Sequence, residues 1–322
     1  MGWLQIAALA GLLCLLPASQ MGRATDVPMP PVAGVFKMEI KSGGYDRVAH
    51  VHLPKGYTAN SKPPVVLALH GAGGNGPMML DRNGWGPKAD SEGFIVVAPT
   101  GLGAFPRLAA DFKANPNVWN SGQLNARSPR ASIDDVKFIA ELLDELKKTV
   151  SYDEQRVFVT GHSNGAGMTF RLGAELPERF SALAAVSGML AVKDPKPKRP
   201  LPTLYIIGTV DPLQPLAGGE VSLPWGKRTN VPVSDYLTNW AKAIGCSTEP
   251  KTLSKADSLK KQEYPSLQPD GPTLTAIYIE GHGHEWPGGN SGLPERIIGP
   301  KTNKLNAVDT IWDFFQSQLP EE

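Results

Sequence analysis

The chain has 322 residues, 41% hydrophobic and 20% charged, a balance that fits a globular protein and excludes a disordered or fibrous one. Its formal net charge is +1, from 32 Lys and Arg against 31 Asp and Glu, so no charge excess points to nucleic acid or an anionic membrane surface as a partner. The length admits one large domain or two small ones, and 34 Gly with 30 Pro announce many turns and loops.

In chain order, the first feature is an apolar run from Leu4 to Leu16, ended by Pro17 and followed by the small residues Ala18 and Ser19. It is too short to span a membrane and reads as an export signal within residues 1–24, with cleavage after Ser19 or Ala24, although Met1-Gly2-Trp3 lacks the usual basic residue. A secreted or periplasmic protein without stable membrane association is expected, its mature part a single domain over residues 25–322. Cys14 lies in the apolar run, which leaves Cys246 alone in the mature chain and excludes an intramolecular disulfide.

Residues 35–40 and 47–53, joined by Gly43-Gly44, read as a hairpin. Apolar runs at 65–69, 94–98, 157–160, 183–187, 204–207 and 274–279 read as strands, the last of these closing the series. Continuous rather than alternating runs suit a sheet buried on both faces. Helices are expected over 133–150, with Ser132 as N-cap and Asp135 three residues on, then from Gly165, over 235–243 and over 307–319. The alternation gives an α/β fold, a mostly parallel sheet flanked by helices in one domain. Segments 101–130 and 217–231 lack periodicity and follow strand ends, where open α/β sheets bind ligands.

The most informative stretch runs from Val157 to Met168, where a β-branched strand meets Gly161-His162-Ser163-Asn164-Gly165 and a small-residue helix start. This is the strand–turn–helix setting of a nucleophile elbow, with glycines allowing the bend and Ser163 at its exposed apex. A serine hydroxyl needs a base, a group to orient that base, and donors for an oxyanion. On an α/β-hydrolase fold these follow the order serine, acid, histidine. The acid expected is Asp211, in Gly208-Thr209-Val210-Asp211-Pro212 just past a strand, against the alternative of an ordinary turn aspartate. Asp235 reads more plainly as part of a helix start.

The segment Gly281-His282-Gly283-His284-Glu285-Trp286-Pro287-Gly288 offers two bases, and the residues alone favour His284 only slightly over His282. A metal reading of His282-x-His284-Glu285 lacks further ligands, so no metal is expected. His162 is expected to be a packed or hydrogen-bonded side chain. The loop His70-Gly71-Ala72-Gly73-Gly74-Asn75-Gly76 should supply oxyanion donors, the amides of Ala72 and Asn164. That loop also fits a dinucleotide fingerprint, with Asp90 and Glu92 downstream, but Pro77 and the lack of a clear helix after it argue against a nucleotide, and no cofactor is expected. Trp119, Trp225 and Trp286 are candidates to line a substrate pocket, or else packed loop anchors.

On these residues the chain resembles the secreted polyhydroxybutyrate-depolymerase-like esterases, a family that includes feruloyl and acetylxylan esterases. The resemblance runs from near Phe36 to the final helix. It is carried by Leu69-His70-Gly71-Ala72-Gly73-Gly74, Trp119-Asn120-Ser121-Gly122, Ile133-Asp134-Asp135-Val136, the elbow, and the segments around Asp211 and His284. It implies an α/β-hydrolase fold with Ser163, Asp211 and His284 as a catalytic triad, which tips the choice against His282. It also implies hydrolysis of a small, oligomeric or plant cell-wall ester without a cofactor. The chain departs from its relatives at Gly122-Gln123-Leu124-Asn125, where many carry cysteine, and an appended polymer-binding domain is not expected. A serine peptidase with the same triad, or a binding protein on the same fold, are the rival expectations.

Overall fold

A computed structural model describes residues 33–124, 127–223 and 226–319. The expected export signal, Asn125 and Trp225 lie outside these residues. In chain order the strands are β1 (Gly34–Ser42), β2 (Tyr45–Leu53), β3 (Val65–Leu69), β4 (Ile95–Thr100), β5 (Leu102–Gly103), β6 (Asn117–Val118), β7 (Val157–His162), β8 (Ala182–Val186), β9 (Thr203–Gly208), β10 (Gly219–Leu223), β11 (Gly226–Asn230), β12 (Lys251–Ala256), β13 (Leu259–Tyr264) and β14 (Leu274–Ile279). The helices are α1 (Gly76–Asp81), α2 (Trp85–Glu92), α3 (Asp135–Thr149), α4 (Asn164–Glu175), α5 (Val233–Ala243), α6 (Glu295–Ile298) and α7 (Ala307–Gln316).

Ten strands form one sheet in the order β1-β2-β4-β3-β7-β8-β9-β14-β13-β12. The middle, from β4 to β14, is parallel throughout, while β1, β2, β13 and β12 join antiparallel at the two edges. This is the mostly parallel sheet of an α/β-hydrolase fold in a single domain. The apolar runs are continuous because both faces are covered. Along β3, Val65, Leu67 and Leu69 enter one core with α3, α4 and α5. Val66 and Ala68 enter the other with α1, α2 and α7.

The expected strands all form, with the hairpin turn at Gly43 and Gly44 in the left-handed region at φ 58 and 81. Several elements differ from the sequence reading. Helix α3 is capped by Asp134, whose carboxylate accepts the Lys137 N–H at 2.9 Å. Ser132 instead closes a short 3-10 turn. Helix α5 starts at Val233 behind Pro232, so Ser234 and Asp235 already belong to its first turn. A helix does follow the glycine-rich loop: α1 begins at Gly76 with Pro77 in its first turn and Asn75 as cap. Proline suits that position because its missing N–H has no helical acceptor there. The absence of a helix is therefore no argument about a nucleotide. The segments at 101–130 and 217–231 hold β5, β6 and the β10–β11 hairpin. No helix among the described residues is long and apolar enough to cross a membrane.

Candidate active site

Strand β7 delivers Ser163 into a sharp turn before α4. The serine sits at φ 53, ψ −117, a strained conformation for a side-chain-bearing residue. The bend is therefore made by the serine itself. Gly161 and Gly165 serve close approach: a Cβ at Gly161 would lie 2.4 Å from the Gly165 carbonyl oxygen, and one at Gly165 2.4 Å from that of Leu69. The strain is held from both sides, by the Ser163 N–H on the Val186 carbonyl at 2.8 Å and the Gly167 N–H on the Ser163 carbonyl at 3.1 Å.

Asp211 projects past the end of β9 and His284 past the end of β14, strands that are neighbours in the sheet. The Ser163 hydroxyl lies 2.8 Å from His284 Nε2, and His284 Nδ1 lies 2.7 Å from Asp211 Oδ2. Burial alone would push the Asp211 carboxyl up. The adjacent His284, together with the N–H groups of Gln214 and Leu213 on the carboxylate, holds it below its usual value instead. An ionised Asp211 fixes the proton on Nδ1 and leaves Nε2 to accept from the serine.

His282 stands apart from this line. Its Nδ1 accepts the Thr302 N–H at 3.1 Å, so Nε2 carries the proton and donates to the Glu285 carbonyl at 2.9 Å. Both nitrogens of each histidine in His282-x-His284 are thus engaged within the chain. Glu285 pairs with Lys301 at 2.9 Å and accepts from Ser291, which accounts for the third group of that metal reading. His162 is packed and hydrogen-bonded, donating to the His284 carbonyl at 2.8 Å. Burial and the nearby His284 push its pKa down to about 4, so it is neutral near pH 7. Asp235 is exposed and bonded to Ser234.

The loop after β3 passes close to the serine: a Cβ at Gly71 would lie 3.2 Å from that of Ser163. Within it, the Gly73 N–H goes to the Asn117 carbonyl and the Gly74 N–H to that of Gly71. Ala72 has neither bond and lines the cavity beside Ser163. Asn164 is the first residue of α4, where an N–H has no intrahelical acceptor. His70 holds the loop in shape, its Nε2 accepting the Gly101 N–H at 2.9 Å and its Nδ1 donating to the Gly71 carbonyl. Burial lowers its pKa to about 4, keeping that tautomer neutral. As for the nucleotide reading, Asp90 is engaged by His52 and Lys55.

The serine opens into a cavity of about 520 Å³, within the usual range for a small-molecule site. Its walls come from the loop after β3, from Phe112, Gln123 and Leu124, and from the β10–β11 hairpin. Trp119 and Trp286, expected to line it, do not. Trp119 is 0% and Trp286 1% exposed, and neither reaches the wall. Trp119 donates through Nε1 to the His70 carbonyl, and Trp286 packs in the core against Trp85. Both are loop anchors, because their large apolar surface is better buried than wetted.

Two side-chain roles missed in the sequence hold the segment around Trp119. The Asn164 side chain accepts the Trp119 N–H at 2.6 Å and donates to the Trp119 carbonyl at 3.1 Å. Asp135, wholly buried, accepts the Asn120 N–H at 2.7 Å and bridges Arg47 and Arg130. The expected capping role of Asp135 is replaced by this clamp on residues 118–120. The paired acids at 134 and 135 were its only trace in the sequence.

The family model Esterase, described as “Putative esterase”, matches residues 41–262. The chain is 28% identical over 309 residues to “Putative esterase NocK” of Nocardia uniformis subsp. tsuyamanensis, covering 91% of this chain and 86% of that one. It is 27% identical over 221 residues to Feruloyl esterase B of Piromyces equi, covering 66% of this chain and 38% of that longer protein. Among solved structures, an acetyl xylan esterase from Aspergillus awamori superimposes with a TM-score of 0.57 at 17% identity, over 87% of this chain and 99% of that one, a likeness of fold.

Proposed function

The chain belongs to the esterase family and is a carboxylic ester hydrolase, and on that premise we propose that Ser163, His284 and Asp211 carry the reaction as nucleophile, base and orienting acid. The observation that carries this reading is the unbroken line from Ser163 Oγ through His284 to Asp211, beginning at a strained serine that faces the cavity. Ser163 Oγ attacks the ester carbonyl carbon as its proton passes to His284 Nε2. The tetrahedral oxygen takes its negative charge between the N–H groups of Ala72 and Asn164. Collapse breaks the carbonyl–alkoxide bond, and the alcohol leaves with the proton from His284. Water, deprotonated by the same histidine, then releases the acid from Ser163. No step calls for a cofactor.

The size of the cavity and the names of the relatives support small or oligomeric esters as the substrate class, with acetyl and feruloyl esters among them. The apolar run from Leu4 to Leu16 supports export, which N-terminal sequencing of protein from the extracellular fraction tests by a start near residue 20 or 25. The mechanistic test is initial-rate hydrolysis of short-acyl, feruloyl, acetylated-xylan and hydroxybutyrate-oligomer esters by wild type and Ser163→Ala. A loss of about 10⁴-fold or more in kcat is expected in the variant. Comparable turnover by a folded Ser163→Ala would reject the nucleophile, and cleavage of peptide amides in preference to esters would reject the substrate class.

A further inference from the structure

Among the described residues, four Asp, Glu, Lys and Arg side chains line the cavity: Arg82, Lys227 and Arg228 are cationic, and Glu285 is acidic. Glu285 is already neutralised by Lys301. Lys227 is exposed and paired with Glu220 at 2.7 Å. Arg228 differs from both. Its guanidinium is half-buried and held by three neutral acceptors, Asn230 Oδ1 at 2.7 Å, the Leu213 carbonyl at 3.0 Å and Gln123 Oε1 at 3.3 Å. Buried Asn230 is itself fixed on the same carbonyl at 3.0 Å, so the base of the arginine is rigid.

No carboxylate pairs with Arg228 among the described residues. Burial draws its pKa down, against the opposing pull of Asp211 and Tyr236. Three of the five guanidinium N–H donors are engaged, which leaves one on each terminal nitrogen. A held, half-buried guanidinium with donors on both terminal nitrogens suits a carboxylate better than it suits any neutral group. Arg82 adds a second positive charge to the wall, with only the Ser291 carbonyl at 3.3 Å as its side-chain partner among the described residues.

We propose that Arg228 binds a carboxylate carried by the substrate, so that the preferred esters are those of a dicarboxylic acid or a hydroxy acid with one free carboxylate. The proposal rests on the reading of Ser163 as the esterase nucleophile in the same cavity. It has a structural rival. Arg228 also braces the Leu213 carbonyl, two residues beyond Asp211, and removal of such a brace would slow every ester alike.

The experiment is a ratio. Monomethyl esters of succinic, glutaric, adipic and suberic acid are each compared with the neutral methyl ester of equal chain length. Acetyl esters of ω-hydroxy acids, against acetyl esters of plain alcohols, probe the alcohol side. Wild type is expected to favour the carboxylated member on one side by about 10- to 100-fold in kcat/KM, the span of one charge-assisted hydrogen bond. The preference should peak at one chain length and weaken with added salt. In Arg228→Gln the ratio should fall towards one, and in Arg228→Lys it should be recovered in part, whatever happens to the absolute rates. A wild type that turns over neutral esters with no preference, or a ratio unmoved by Arg228→Gln, overturns the proposal and leaves the esterase reading intact. Failure of wild type on both members of every pair would instead count against the esterase reading itself.

Discussion

His282 and His284 are two residues apart and both buried, yet only one faces the serine. Their hydrogen bonds predict opposite consequences for the same substitution. His284→Gln should cost about 10⁴-fold in kcat, because no other group among the described residues is hydrogen-bonded to the serine hydroxyl. His282→Gln should keep kcat within about tenfold and act on stability, since it breaks the link between Glu285 and Thr302. Matched kinetics and urea midpoints for the two variants check this, and equal losses of kcat would contradict it. Asn164→Ala keeps the N–H but releases Trp119, and is expected to lower kcat by about tenfold with KM little changed. At this scale the site was partly legible in the sequence. Ser163, Asp211 and His284 each sit just past an apolar strand, and strand ends are visible in sequence. Trp119 and Trp286 were not legible as core, since a large aromatic fits a pocket wall or a core and only tertiary packing decides.

At the scale of elements, Asp135 joins β2, the 118–120 segment and α3 through Arg47, Asn120 and Arg130. It is the only acidic partner of either arginine among the described ion pairs. Asp135→Asn keeps the size of the side chain and removes the charge, leaving two buried guanidinium groups uncompensated. Loss of about 3–5 kcal/mol of stability is expected, read from urea midpoints. An unchanged midpoint would mean that the cluster is compensated by other means. The sequence hid this clamp because an acidic residue at a helix start satisfies the capping rules on its own, and the buried arginines lie 88 and 5 residues away. The β12–β13 hairpin was hidden for a different reason. It forms a sheet edge rich in lysine, as edges that resist further pairing tend to be, and so lacks an apolar run.

For the whole molecule, the buried histidines set a dependence of stability on pH. His70 and His162 have pKa values of about 4 when folded, against about 6.5 for a free histidine. Between those limits the unfolded chain binds protons that the folded chain refuses. Stability therefore falls as pH falls from about 6.5 towards 4, by up to about 1.4 kcal/mol per pH unit for each histidine. Asp211, held below its usual value, stabilises the fold above about pH 4, and that contribution is lost as pH drops through its folded pKa. Melting temperatures should decline steadily from pH 7 to pH 4.5, with net proton uptake on unfolding near pH 5.5. A flat profile would show that these rings are accessible to protonation in the folded protein. The α/β alternation and the parallel centre of the sheet were readable because strands buried on both faces leave continuous apolar runs. The charge on the cavity wall was not, since Arg82, at the end of α1, and Arg228, on β11, come to one cavity wall only in the folded chain.

The most direct test of the central claim is covalent. Wild-type protein treated with a fluorophosphonate should take up a single adduct, located by peptide mass spectrometry on Ser163, with ester turnover lost in proportion to labelling. His284→Gln should label far more slowly, because the serine is then without its base. Turnover that survives complete labelling, or an adduct on another residue that accompanies inactivation, would contradict the assignment of Ser163 as the nucleophile.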